Sequence, residues 1–187
     1  MAKDHLAHIS RRMAGTTLWL VISMIALNAA TWIFPKLSSV EKGYGLSFSL
    51  SDRLISSNNL DWNSFPWWQI GGAIVLSSLP LLVLSVGLLN LRSLFKDYSE
   101  ENYFSSASSF HMEKVGRSVF FWVLFNFFSE PLLSMWITMR EPVGQRVLSL
   151  SFQASEVVSI FIGMCIILIS RILRRAAELN EENKSFV

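Results

Sequence analysis

Charge is scarce in this sequence. Of its 187 residues only 16% are Asp, Glu, Lys or Arg, against about 25% in a typical soluble domain. The shortage is also uneven. Residues 13–35, 67–91, 118–139 and 147–170 hold only two charges between them, Glu130 and Glu156. The remaining charges crowd into the other half of the chain at an ordinary soluble-surface density of roughly 30%. This two-phase pattern excludes a soluble enzyme, a secreted disulfide scaffold and a disordered regulator. Cysteine is nearly absent. Cys165 stands alone, so neither an intrachain disulfide nor a CxxC redox pair can form, and it reads as a small buried hydrophobe. The three histidines, His5, His8 and His111, lie outside the uncharged runs, which excludes a bis-histidine haem held between spans. Net charge is only +2 with the basic residues dispersed, so no nucleic-acid groove is expected. There is no HExxH, no Ser/His/Asp set, no glycine-rich phosphate loop and no metal-ligand spacing. No catalytic residue, metal or cofactor is therefore expected, and the chain is not expected to be an enzyme. The Gln69-Ile70-Gly71-Gly72 step, a lone glycine pair, reads as close packing.

What is present is apolar length. About 20 residues cross a ~30 Å hydrocarbon layer, and unsatisfied backbone groups are not tolerated there, so these runs must be helices or a closed barrel. Long runs without alternation mean helices. The first run continues through Trp32-Ile33-Phe34 with no small-x-small site, which favours a retained span over a cleaved signal peptide. The fourth is less sharply bounded. If residues 147–152 are extended, its helix starts near Gln153, Arg171 and Arg174 snorkel to the interface, and Glu156 sits near the outer surface. That later start is preferred. The expected fold is a single all-α membrane domain over residues 1–187. It is a bundle of four transmembrane helices at about 13–35, 67–91, 118–139 and 153–176, with an outer loop 36–66, a cytoplasmic loop 92–117 and a cytoplasmic tail 177–187.

Orientation follows from the basic residues. Lys3, Arg11, Arg12, then Arg92, Lys96, Lys114, Arg117, then Arg171, Arg174, Arg175 and Lys184 fall on one side, eleven of the 16. Because cytoplasmic segments carry the excess of Lys and Arg, both termini are expected in the cytoplasm. Trp19 and Trp122 then lie near the cytoplasmic ends, and Trp32, Trp67, Trp68 and Trp136 near the outer ends, as interfacial belts require.

The aqueous segments add detail. Residues 46–50 and 148–152 alternate apolar and polar with a period of two, which predicts a small extracytoplasmic two-stranded element. Ser105 is placed to cap a helix running through Met112 and Val115 into the third span. The tail continues the fourth helix, with Arg174 and Glu178 paired at i,i+4.

Two cytoplasmic stretches carry a likeness. Glu101-Asn102-Tyr103-Phe104-Ser105 through Val115-Gly116, and Arg174-Arg175-Ala176-Ala177-Glu178-Leu179-Asn180-Glu181-Glu182-Asn183 with the closing Phe186-Val187, resemble a family of four-helix bacterial inner-membrane proteins. That family is a domain of unknown function, numbered twenty-nine seventy-five. Its pattern has G-x-x-F-[ST] leading into an apolar-Gly entry to helix three, then R-R-G-x-x-L-x-x-E and a terminal apolar pair. Here Glu101 or Asn102 stands in place of the loop glycine, Ala176 replaces the tail glycine, and Phe186 replaces a threonine. The resemblance implies a membrane partner for a small helix-turn-helix repressor and brings no catalytic residues. Tyr103, Phe104, Arg174, Arg175, Glu178 and Leu179 are the candidate docking residues.

Buried polar groups mark the other candidate site, because a carboxylate inside a bilayer is by default a functional hypothesis. Glu130 lies ten residues before Arg140, roughly 15 Å deep at 1.5 Å per residue. Asn28 is eight residues from Lys36, roughly 12 Å deep by the same rise. Ser77 and Ser78 lie at similar depth beside Pro80, and Glu156 joins this layer only if the fourth helix starts early. Pro80 and Pro131 each free a backbone carbonyl and can widen the layer, while Gly87 and Gly163 allow helices to approach closely. Three readings stay open: interhelical hydrogen-bonding glue, a ligand- or proton-sensing pocket, and a cation or proton path through Glu130 and Glu156. The expected function is a non-enzymatic regulator or sensor that holds or releases a cytoplasmic protein. A small transporter, or an accessory or assembly subunit, is the alternative. The expected partners are the lipid bilayer, a helix-turn-helix protein and further copies of the chain, with no direct nucleic acid.

Overall fold

A computed structural model of the chain describes residues 2–34, 65–100, 105–142, 146, 148–150 and 153–185. It contains four helices: α1 (Ala2–Ile33), α2 (Trp67–Ser99), α3 (Ser106–Thr138) and α4 (Ala154–Ser185). All four are long and apolar enough to cross a membrane. The protein is an all-α, integral, multi-pass membrane protein. None of the described residues is in a strand. Of the expected two-stranded element, residues 46–50 and 151–152 lie outside the described residues, and 148–150 are in no strand. The docking candidates Tyr103 and Phe104 also lie outside them.

The helix ends follow local chemistry. Ser105 accepts the backbone N–H of Ser108 at 3.1 Å and exchanges a hydrogen bond with its hydroxyl at 2.9 Å. A side-chain oxygen thus answers one of the orphan donors of the first turn of α3. The fourth helix begins at Ala154, the later of the two starts considered, and runs on to Ser185. Pro80 and Pro131 sit inside continuous helices. Helices of 32 or 33 residues are about 50 Å long, well beyond a ~30 Å hydrocarbon layer. Each therefore extends past the apolar run, at the end that carries its charges.

The described chain divides into two compact units. The first comprises Met1–Val21, Val83–Trp122 and Ala154–Val187; the second comprises Ile22–Leu82 and Val123–Gln153. The first unit is packed through small residues. A Cβ at Gly87 would lie 2.6 Å from that of Ser118, and one at Gly116 would lie 2.8 Å from the carbonyl oxygen of Gly163. Ser10, Ser108 and Ser109 are buried in the same unit beside Leu94. Without a hydrophobic driving force between helices in lipid, such residues let backbones approach until van der Waals contact holds them. On α4 the buried positions are Glu156, Gly163, Ser170 and Ala177, spaced by seven. A seven-residue repeat is a narrow seam, and many of the other described positions, including Phe161, Leu168 and Ile172, are exposed to lipid or water. Its uncharged stretch is short as well. Fourteen residues separate Glu156 from Arg171, about 21 Å of helix.

The second unit has an aromatic core. Trp32, Ala73, Leu133 and Ile137 are buried together, with Phe65, Ile70, Ile74, Leu76 and Trp136 packed against them. The indole of Trp136 lies where a Cβ on Gly72 would be, whereas Gly71 has open space. The pair read as close packing is thus one packing glycine and one free one. Trp32 is the correction here. Its position near a helix end suggested an interfacial anchor, but it is 2% exposed. Trp67 and Trp68 are exposed, as belt residues should be.

These contacts predict opposite outcomes for similar changes. Gly116→Ala should lower the thermal midpoint in detergent, because the added methyl meets the Gly163 backbone, which cannot swing aside. Gly71→Ala should hold the midpoint or raise it, since alanine gains up to about 1 kcal/mol of helix propensity at an open position.

Candidate functional site

The polar residues of the second unit form three hydrogen-bonded groups. The first joins α1 to α2. Asn28 is completely buried, and its Nδ2 donates to Ser77 Oγ at 3.0 Å and to Ser78 Oγ at 3.1 Å. Trp32, one turn further along α1, donates its Nε1–H to the same Ser77 Oγ at 3.0 Å. Ser77 in turn donates to the carbonyl of Ile74 at 3.2 Å. Its single proton and both lone pairs are therefore committed. With the amide nitrogen facing the serines, Asn28 Oδ1 is buried without a hydrogen-bond partner among the described residues. A buried acceptor left unanswered costs about 1–3 kcal/mol.

The second group lies along α3. Glu130, 2% exposed, accepts the Ser149 hydroxyl at 3.2 Å on Oε1. The Ser149 backbone N–H donates to Ser134 Oγ at 3.1 Å, and Ser134 donates to the carbonyl of Pro131 at 2.9 Å. Thr138 donates to the Ser134 carbonyl at 2.8 Å. Glu130, Ser134 and Thr138 thus make one polar row at i, i+4 and i+8, and the segment after α3 folds back onto it.

The third is a clamp between α2 and α3. Gln69 Nε2 donates to the carbonyls of Trp136 and Ile137, at 3.1 and 2.8 Å, and Trp136 Nε1 donates back to the Gln69 carbonyl at 2.9 Å. The last carbonyls of α3 have no partner within their own helix, so the Gln69 amide caps them. Its Oε1 is buried without a hydrogen-bond partner among the described residues. Trp32, Phe65, Gln69, Ile70, Ala73 and Ile137 line a pocket there, with room for about one water molecule.

Of the expected layer, the structure brings together Asn28, Ser77 and Ser78. Glu130 is buried in the same unit, where its hydroxyl partner is Ser149. Glu156 is buried in the first turn of α4 and belongs to the other unit. Among the tail residues, Arg174 and Arg175 both pair with Glu178, at 3.3 and 3.4 Å, and Leu179 is half exposed. Sequence reasoning missed Trp32, Gln69, Ser134 and Ser149. The i,i+4 spacings of Asn28 with Trp32 and of Glu130 with Ser134 were visible signals for two of them. Among the described residues no group of three or more His, Cys, Asp or Glu is placed to hold a metal ion.

The family model described as "Protein of unknown function (DUF2975)" matches residues 8–187. The chain belongs to the DUF2975 family. No curated protein and no solved structure matches it. In this DUF2975 member the matched region takes in all three hydrogen-bonded groups, α2, α3, α4 and all of α1 but its first six residues, so these polar groups lie inside the family domain.

The hydrogen-bond balance at Ser77 yields a graded prediction. Ser77→Ala removes an acceptor shared by two buried donors, Asn28 Nδ2 and Trp32 Nε1, whereas Ser78→Ala removes an acceptor of Asn28 Nδ2 alone. Ser77→Ala should cost about 1–3 kcal/mol and lower the thermal midpoint measurably more than Ser78→Ala. Equal midpoints would show that Ser77 does not organise the group.

Proposed function

We propose that this protein is a non-enzymatic regulator of the bacterial plasma membrane, with both termini in the cytoplasm, that holds and releases a cytoplasmic protein. The observation that carries this reading is the run of helix beyond the membrane. In the first unit all four helices continue past their boundary arginines, Arg12, Arg92, Arg117 and Arg171, on the side with eleven of the 16 basic residues. Those extensions present side chains to water that suit a protein partner, Arg174, Arg175, Glu178 and Leu179 on α4, and the sequence places Tyr103 and Phe104 between α2 and α3. The resemblance noted in the sequence favours a small helix-turn-helix repressor as that partner.

The buried polar groups supply the input. Among the described residues Asn28 Oδ1 and Gln69 Oε1 are acceptors with no donor, and a ligand hydrogen-bond donor or a repacking that answers one of them gains about 1–3 kcal/mol. That is enough to shift a two-state equilibrium roughly 5- to 150-fold. Helices α1, α2 and α3 each run without a break from residues of one unit into residues of the other. The second reading, a small transporter or an accessory subunit of a membrane complex, is favoured by the near-complete burial of Glu130.

Cross-linking and flux separate the two. A photo-reactive residue at Leu179 of the full chain in its native membrane should capture a small DNA-binding protein, and the same residue at lipid-exposed Val75 should not. Deleting residues 176–187 should change the transcriptome. Failure of both results overturns the regulator, and proton or solute flux in proteoliposomes that Glu130→Gln abolishes would establish the transporter.

A further inference from the structure

In the first unit the cations form two tiers. The tier next to the uncharged runs is all arginine: Arg11 and Arg12 on α1, Arg92 on α2, Arg117 on α3 and Arg171 on α4. Lysine comes one turn further out, as Lys96 on α2 and Lys114 on α3. Arg117 is paired with Glu113, and beyond the boundary tier Arg174 and Arg175 share Glu178. Arg11, Arg12, Arg92 and Arg171 are exposed and make no ion pair among the described residues. Among the described residues, four cations without an ion pair thus lie at the edge of the uncharged runs, and Lys96 and Lys114, likewise without one, lie a turn further out.

Each of three helices also places an exposed apolar side chain on the membrane side of its unpaired arginine and on the same face. Trp19 follows Arg12 by seven residues, Leu89 precedes Arg92 by three, and Leu168 precedes Arg171 by three. They are 73%, 43% and 61% exposed. Spacings of three and seven residues stack side chains along one helical stripe. A cation above an apolar side chain matches a phosphate above an acyl chain. An acidic protein in water would complement the cations but would leave the lower tier unused. Arginine is also the side chain whose planar fork grips two phosphate oxygens at once.

We propose that Arg12, Arg92 and Arg171 bind the headgroups of anionic phospholipids, with Trp19, Leu89 and Leu168 lying against the acyl chains. The surface therefore selects a charged lipid from the leaflet around it and makes the stability of the first unit depend on lipid charge. This assignment is independent of the regulatory reading, because neither the docking residues of α4 nor the buried polar groups take part.

The test uses the full chain in nanodiscs of dioleoyl-phosphatidylglycerol or dioleoyl-phosphatidylcholine. Phosphatidylglycerol should raise the thermal midpoint above the phosphatidylcholine value, and native mass spectrometry from mixed discs should show it preferentially retained. Each Arg→Gln change at 12, 92 or 171 should weaken retention by about fivefold, and the triple change should remove the midpoint difference. Lys96→Gln with Lys114→Gln should preserve the difference. If the triple variant does not fold, the wild-type chain decides: raising salt should shrink the phosphatidylglycerol preference, since headgroup and cation meet in water. Equal midpoints in the two lipids, a preference unmoved by the single substitutions or by salt, or the same stabilisation from inorganic phosphate in phosphatidylcholine discs would overturn the proposal.

Discussion

Inside a bilayer no water stands ready to complete a hydrogen bond, so a buried polar side chain must be answered by another side chain or by a backbone carbonyl. Ser77 shows the constraint at its tightest. One hydroxyl serves the Trp32 indole and the Asn28 amide while giving its proton to the Ile74 carbonyl. The register of α1 against α2 depends on that three-way agreement, because turning either helix breaks more than one bond. Gln69 does the equivalent work between α2 and α3, where one amide closes two carbonyls that the end of the helix leaves open.

The two units solve the packing problem differently. In the second, directional bonds and a large aromatic core define the contacts, and Gly72 makes room for the Trp136 ring. In the first, glycine and serine bring backbones together. His111 with Asn90 at 3.2 Å and Ser108 with Asp97 at 3.5 Å add side-chain hydrogen bonds between helices. Polar bonds specify a particular register, whereas a small-residue seam limits distance more than rotation. The buried-acceptor chemistry therefore sits in the more rigidly specified unit.

Much of this was legible in the residues, and the reason is dimensional. Hydrocarbon thickness converts directly into a count of uncharged residues, so the number of spans follows from where Arg12, Arg92, Arg117 and Arg171 fall. Depth was legible by the same arithmetic, which placed Asn28 level with Ser77 and Ser78. Azimuth was not. A tryptophan near a helix end looks the same whether it anchors in headgroups, as Trp67 does, or turns inward, as Trp32 does. Gln69 was hidden by its neighbours, since a glycine pair draws attention to close approach and away from the amide beside it. The partner of Glu130 comes from Ser149, in a connecting segment whose fold-back no periodicity encodes. The resemblance to the family was carried by tail and loop motifs, which include no residue of the hydrogen-bonded groups and carry no information about them.

The uncharged stretch of α4 has one further consequence. At about 21 Å it falls roughly 9 Å short of an average hydrocarbon layer, and each ångström of mismatch costs a fraction of a kcal/mol. The sum is a few kcal/mol, the same size as the net stability of many folded proteins. Membrane thickness is then a thermodynamic variable of this molecule in the way that temperature or ligand concentration is for others. A cell that lengthens its acyl chains would be titrating α4, the helix held by a seam of single small residues and least able to resist.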